Sequence, residues 1–337
     1  MTEYHQFEFT LTTLAPVHIG EGKTITTKEF LYEEGEERGY YYFPDMPTLY
    51  NQVCKIGFQK QFEQYLLGKG ERDLRGFFKD HQIKENQFGG YRVKETGYES
   101  KDKGKLNNID AFIKDTYGNP YIPGSSLKGA LRTILVNRHF HTDTDNVKRG
   151  ASKNGINEIF NEIRVSDSEP IPFERLLICQ KWDVNAKKGI PNPLPVFREA
   201  LTPFTRVKFT ITTTTARAHY LISGLEDMAK QFYESNYYPR FLKVFPSKFL
   251  QPNYRAPLYL GAGSGLWSKV DHQHVDITSI RRHTPGKMKM KLNGALKLTK
   301  SRKVSFRRKG SVERHELITN DENLYEMGKC GFRIKEV

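Results

Sequence analysis

The sequence predicts an α+β protein of two domains, and three observations carry that reading. The chain has 337 residues, more than a single core of ordinary size organises. Two distant stretches, Phe7 to Thr13 and Val207 to Thr215, alternate apolar and polar residues in the same Phe-Thr-Leu/Ile-Thr-Thr texture, the period of a half-buried strand. Each is followed by residues at helical spacing and by further strand-like runs, a weak sign of an internal repeat. Hydrophobic residues make up 37% and aromatic residues 12% of the chain, enough to fill two cores.

Taken in order, Phe7, Phe9 and Leu11 alternate with Glu8, Thr10 and Thr12, and Ala15-Pro-Val-His-Ile-Gly20 turns out of the strand. His18, just past its end, is a candidate general base as well as a packing residue. Glu29 to Tyr32 and Tyr40 to Phe43 flank an acidic turn in the manner of a hairpin. After Pro47, Leu49, Val53, Ile56, Phe62 and Leu66 recur near helical spacing up to Gly68, and residues 71–85 continue with Leu74, Phe77 and Phe78 inward. From Asn86 to Gly118 the pattern dissolves into polar residues and glycine, the composition of a mobile insertion.

The organising stretch is Asn119-Pro-Tyr-Ile-Pro-Gly-Ser-Ser-Leu-Lys-Gly-Ala-Leu-Arg132. Pro123 and Gly124 make a turn, and Ser125 or Ser126 can cap the helix that follows. Leu127, Leu131, Ile134 and Leu135 form its apolar stripe, while Lys128 and Arg132 stand one turn apart on one face. Free N–H groups, two hydroxyls, a positive dipole end and two cations suit phosphate. The same residues also fit a capped core helix with a basic solvent face.

Ile159 to Val165 and Leu176 to Val184 read as strands, and Lys187 to Pro195, rich in Pro, Gly and Lys, as a linker. The expected domains are therefore 1–200 and 201–337. In the second, Ser223 or Gly224 opens a helix through Leu225, Met228, Ala229 and Phe232. Leu258 to Lys269 then sets three alternate glycines, Gly261, Gly263 and Gly265, where a backbone can approach a bulky anion, with Lys269 adding charge. Trp267, Tyr254, Tyr259 and Tyr121 are candidates to stack on bases, and Arg281 and Arg282 to contact a phosphate backbone. Periodicity alone gives two α+β domains; strand, helix and further strands in both halves also fit two ferredoxin-like units with inserted loops, of the kind that RNA-recognition modules use.

Charge is unevenly placed. The net charge is +14, yet residues 1–200 hold 28 basic and 28 acidic side chains against 25 and 11 in residues 201–337. No acid stands between Asp276 and Glu313, an interval with twelve Lys and Arg. Such a one-sided field draws polyanions and makes binding salt dependent.

No apolar run approaches the roughly 20 residues of a membrane span, and Met1-Thr-Glu-Tyr-His-Gln has no signal-peptide pattern. Cys54, Cys179 and Cys330 form neither a disulfide framework nor a metal pair. A soluble cytoplasmic protein without membrane contact is expected. Ser125-Ser-Leu-Lys128 matches S-x-x-K, but S-D-N and K-T-G are absent. Leu266 stands where a dinucleotide fingerprint needs its third glycine, and no P-loop motif occurs. His139-Phe-His141 and His272-Gln-His274 could each hold zinc but lack an evident third ligand. Neither a cofactor nor a metal is expected.

Tyr121 to Arg132, the opening Phe9-Thr-Leu-Thr-Thr-Leu-Ala-Pro-Val-His-Ile-Gly-Glu-Gly22 and the later Leu260-Gly-Ala-Gly-Ser-Gly265 together resemble the RAMP superfamily of CRISPR-associated RNA-binding proteins. Their order and spacing are most similar to a subunit of the type III-A (Csm) effector complex. The resemblance implies a subunit that binds CRISPR RNA without cutting it and meets target RNA. It would abut other Csm subunits, above all the backbone RAMP subunit, and the insertion near 86–118 would project toward RNA. RNA-processing enzymes of the superfamily use a histidine as general acid or base, which makes His18 the alternative catalytic residue, with His272, His274 and His283 behind it. The backbone subunits cut with an aspartate after the first strand. Here His18 to Phe30 contains only Glu21 and Glu29, so that activity is not expected.

Overall fold

The computed structural model describes residues 4–34, 39–84, 88–95, 108–138, 156–185, 189–270, 274, 276, 295–300, 305–307, 314–316 and 323–337. In chain order come β1 (His5–Thr13), β2 (Gly20–Thr26), β3 (Leu31–Glu33), β4 (Tyr40–Phe43), α1 (Met46–Lys55), α2 (Gln59–Leu66) and α3 (Leu74–Asp80). Then follow β5 (Tyr91–Glu95), β6 (Asn108–Phe112), α4 (Gly124–Arg138), α5 (Ile156–Glu162), β7 (Ile163–Val165), β8 (Leu176–Asn185), β9 (Pro191–Leu201) and β10 (Arg206–Thr213). The chain goes on through α6 (Ala216–Ser223), α7 (Leu225–Phe232), α8 (Tyr238–Val244), β11 (Ala256–Tyr259), α9 (Leu266–Lys269) and β12 (Ala295–Lys300). It closes with β13 (Ser305–Arg307), β14 (Arg314–Glu316), β15 (Leu324–Glu326) and β16 (Lys329–Glu336).

The alternation in β1 does what its period requires: Phe7, Phe9 and Leu11 are buried, and the Phe9 ring stacks on Phe332 at 4.9 Å. β1 pairs antiparallel with β10 on one side and β16 on the other. The whole sheet runs β11-β16-β1-β10-β7, antiparallel throughout. With α4 between β1 and β7, and α6 and α7 between β10 and β16, the order β16-β1-β10-β7 is that of a ferredoxin-like unit. Its strands come from both sides of residue 200. The two textured strands expected to open separate domains are neighbours in one sheet, because each supplies an apolar face to the same helices.

The second sheet is mixed, in the order β2-β6-β9-β8-β5-β4-β3, with β12 beside β8 and β15 beside β12. Its order differs from that of the first sheet, so among the described residues one ferredoxin-like unit is seen and the second expected one is not confirmed. β5 and β6 lie inside the stretch expected as an insertion. They pair with β4 and β8, and with β2 and β9, while residues 96–107 fall outside the described residues. The expected linker is the start of β9, and the expected strand Ile159 to Val165 is the end of α5 followed by β7.

One core joins both sheets, from Phe9, Leu131 and Ile134 to Ile178, Trp182 and Phe197. A smaller core under α1, α2 and α3 holds Leu49, Val53, Phe62, Tyr65, Leu74 and Phe77. The long helix expected after Pro47 is broken at Gly57, whose φ is +88°, a conformation glycine adopts without steric cost. Asp45, Asp73 and Thr215 cap α1, α3 and α6 through hydrogen bonds to Thr48, Gly76 and Ala218 N–H. Cys54, Cys179 and Cys330 are free. Among the described residues, no helix is long and apolar enough to cross a membrane.

Candidate nucleic-acid interface

The start of α4 is closed by the chain itself. Gly124 N–H donates to the Asp167 carboxylate at 2.7 Å, so an internal anion already sits at the positive end of the helix. Gly124 is needed because a Cβ there would fall 2.4 Å from the carbonyl oxygens of Val165 and Ser166. The cap is Asp167 and neither serine; Ser125 is exposed and Ser126 half-buried in the first turn. Lys128 Nζ donates to Ile163 O at 2.7 Å, and partial burial pushes its pKa down. Arg132 donates to Asn157 Oδ1 at 3.0 Å and lies 5.2 Å from the Phe160 ring centre. Both cations therefore bind α4 to α5 and β7.

The Gly-rich turn is likewise packed against backbone. A Cβ at Gly261 would stand 2.0 Å from His18 O, and one at Gly263 would stand 1.8 Å from Met327 O. N–H groups of the turn are spent internally: Ala262 on His18 O, Ser264 on Gly261 O, Gly265 on Ser268 Oγ. Lys297 Nζ holds the carbonyls of Ala262 and Ser264 at 3.2 and 2.9 Å. Lys269 is exposed, and its carbonyl accepts from Asn137 of α4 at 2.9 Å, which links the turn to the organising helix. The side chain of Trp267, and Arg281 and Arg282 altogether, lie outside the described residues, as do His139, His141, His272 and His283. Tyr259 is core, its hydroxyl on the buried Glu326 carboxylate at 2.6 Å.

His18 is 5% exposed and donates from Nδ1 to Glu199 O at 2.6 Å. Burial lowers its pKa, so it sits neutral behind the Gly-rich turn. In this arrangement it is a packing and positioning group.

Among the described residues, the face of the ferredoxin-like sheet away from α4 and α7 carries no helix. Register places Arg333, Thr10 and Lys208 in one row across it, and Thr12 beside Arg206 in the next. Arg206, Lys208 and Arg333 are exposed. A groove of about 650 Å³ runs over this face, lined by Thr12, Arg175, Phe204, Arg206, Lys208 and Tyr254 among others. Beyond Lys208 it continues into a second hollow of about 390 Å³ that reaches Glu8, Asp167 and Thr210.

Cations and aromatics meet at one end of this groove. Phe204 stands edge-on to Tyr254 with centroids 6.3 Å apart, and Arg255 lies 5.2 Å from the Tyr254 ring centre. Phe204 has φ of +62°, unusual for a bulky residue, and its N–H is held by Thr13 O at 2.7 Å. Thr12 is 2% exposed, and its Oγ1 has no hydrogen-bond partner. Arg175, Arg206 and Lys208 can bind phosphates, and the two rings can take bases, the combination that holds single strands. Lys208 also pairs with Glu8 at 2.8 Å, an exposed contact that water and salt screen and a phosphate can replace.

Of the stacking candidates from sequence, Tyr254 is the one the groove includes. Lys208 is a polar position of the alternating stretch Val207 to Thr215, while Arg206 stands just before it. Arg175 and Phe204 carry no local signal, since they reach the groove through the packing of β8 and β10 ends.

Residues 10–265 match the family model of the RAMP superfamily. The chain is 41% identical to the CRISPR system Cms protein Csm5 of Streptococcus thermophilus, over 99% of each chain. It is 30% identical to the protein of that name from Mycobacterium tuberculosis (strain CDC 1551 / Oshkosh), covering 98% of this chain and 97% of that one. In fold it is similar to a chain of a Csm-crRNA-target RNA ternary complex of a type III-A CRISPR-Cas system, with TM-score 0.64 and 18% identity over 97% and 100% of the two chains. It is also similar to the Csm5 of T.onnurineus, with TM-score 0.53 and 20% identity over 77% and 90%. The chain therefore belongs to the RAMP superfamily and, within it, to the Csm5 family.

Proposed function

We propose that this chain is a non-catalytic CRISPR RNA-binding subunit of a type III-A (Csm) effector complex. It caps the 3′ side of the guide beside the backbone RAMP subunit, meets target RNA in the assembly, and supports guide maturation and antiviral defence. The single observation that carries the RNA-binding reading is the sheet face where Arg175, Arg206 and Lys208 line one groove together with Phe204 and Tyr254. A chain of similar fold occurs in a Csm-crRNA-target RNA ternary complex, which supports the assembly.

The α4 start is tied to Asp167 and the Gly-rich turn to His18, and Lys269 adds an exposed cation beside that turn. A general-base role for His18 finds no support in its burial and its hydrogen bond to Glu199 O.

The test mixes purified protein with end-labelled repeat-spacer RNA, with magnesium and with chelator, on native and denaturing gels. Intact RNA that shifts on the native gel is the expected result. Discrete cleavage products would overturn the non-catalytic reading, and absence of a shift at about 150 mM salt would overturn RNA binding by the isolated chain.

A further inference from the structure

At the His5 end of β1, on the side of the same sheet where Phe7 is buried, three side chains from widely separated positions converge. His5 opens β1, His219 lies in the first half of α6, and Glu336 ends β16. Glu336 Oε1 is 3.0 Å from His5 Nδ1 and 3.0 Å from His219 Nε2. One donor atom from each residue lies within 4.8 Å of the others. The two imidazoles face each other with centroids 4.0 Å apart, and the buried Phe7 ring backs His219 at 5.5 Å.

We propose that His5, His219 and Glu336 form a binding site for a divalent transition-metal ion, zinc above all. Two imidazoles and one carboxylate are the donors that Zn²⁺ takes at about 2.0 to 2.2 Å. In a tetrahedral shell, those bond lengths put neighbouring donors about 3.3 Å apart, so the 3.0 Å spacings need to open by only a few tenths of an ångström. The side chains are 29%, 28% and 48% exposed, which leaves a path for the ion and room for a water in the fourth position. Each imidazole presents its lone pair to the ion in the neutral form, with its proton on the other ring nitrogen.

The ion would tie the first strand, the last strand and α6 together. Its binding would add to folding stability by mass action, because the unfolded chain does not bring the three donors together. No local spacing announces such a site, unlike the His-x-His pairs at 139–141 and 272–274, since the ligands stand at positions 5, 219 and 336.

The test uses the tag-free full chain, stripped with chelator and titrated with Co²⁺ while its visible absorption is read, then with Zn²⁺ in competition. One ion per chain, a Co²⁺ band displaced by Zn²⁺, and a melting temperature raised by a few degrees are expected. His219→Ala and Glu336→Gln should each weaken uptake by about a hundredfold or more, since loss of a supporting partner alone costs tenfold to a hundredfold. Glu336→Gln keeps an oxygen for either imidazole, and circular dichroism checks that the variants are folded. Failure to take up an ion at micromolar concentration, or uptake unchanged in both folded variants, would overturn the site.

Discussion

The N–H of Ala262 donates to the carbonyl oxygen of His18 at 2.9 Å, which binds the Gly-rich turn to the turn that follows the first strand. Gly261 makes this approach possible: its φ is +63°, and an added Cβ would fall 2.0 Å from the same oxygen. Gly261→Ala should therefore lower folding stability by more than about 2 kcal/mol, read by denaturant unfolding, through strain and steric overlap together. Unchanged stability would mean that the turn stands free of His18.

Acid should weaken the fold through His18. Burial holds its folded-state pKa below the ordinary value of 6.5, so the unfolded chain takes up a proton that the folded chain refuses. Its contribution is fully present above about pH 6.5 and declines as the pH falls below that value toward the folded pKa. His18→Asn, whose amide nitrogen can take the place of Nδ1 on Glu199 O, should flatten the melting-temperature profile between pH 7.5 and 5 while costing some stability at neutral pH. A profile as steep as the parent's would assign the acid sensitivity to other groups.

RNA affinity should divide into two separable parts at the groove. Arg175→Ala with Arg206→Ala should weaken binding across sequences and reduce the salt slope by about 0.7 for each phosphate left without its cation. Tyr254→Ala should cost about 1 to 3 kcal/mol with the salt slope intact, since stacking releases no counterions. Filter binding at several salt concentrations distinguishes the two, and a pair of variants that both bind like the parent would clear this face of any role.

A buried ion pair should prove intolerant of half-removal. Lys329 and Glu326 meet at 2.7 Å, 0% and 1% exposed, and the carboxylate also accepts from Tyr259 at 2.6 Å and Gln251 N–H at 2.8 Å. Lys329→Met alone should cost about 3 to 5 kcal/mol, because it strands a buried charge. Adding Glu326→Gln should recover part of that loss, and additive costs in the double-mutant cycle would show that the two do not interact.

The faces of individual elements were legible from sequence because burial follows period. Phe7, Phe9 and Leu11, the Leu127-Leu131-Ile134-Leu135 stripe, and Leu225, Ala229 and Phe232 are all inside. What a local pattern could not reveal was the partner. β5 and β6 are five residues each in a polar stretch, and they become strands by pairing with β4, β8, β2 and β9, which lie elsewhere in the chain. The same blindness applies to the glycines: Gly124, Gly261 and Gly263 do signal close backbone approach, and the atoms they approach belong to Val165, Ser166, His18 and Met327, which no local pattern names. The groove has no signature in the sequence, because Arg206 and Lys208 look like any solvent-facing residues of a strand until Arg175, Phe204 and Tyr254 are folded around them.

The place of β1, held between β10 and β16, bears on how the protein is made in the cell. During translation at roughly 5 to 20 residues per second, β1 leaves the ribosome long before either neighbour exists. Its second edge meets a partner only when Lys329–Glu336 has been synthesised, so the sheet cannot close as the chain emerges. Until then Phe7, Phe9 and Leu11 lack their β16 neighbour, so removal of Lys329–Glu336 should cost more stability than the area those residues bury suggests.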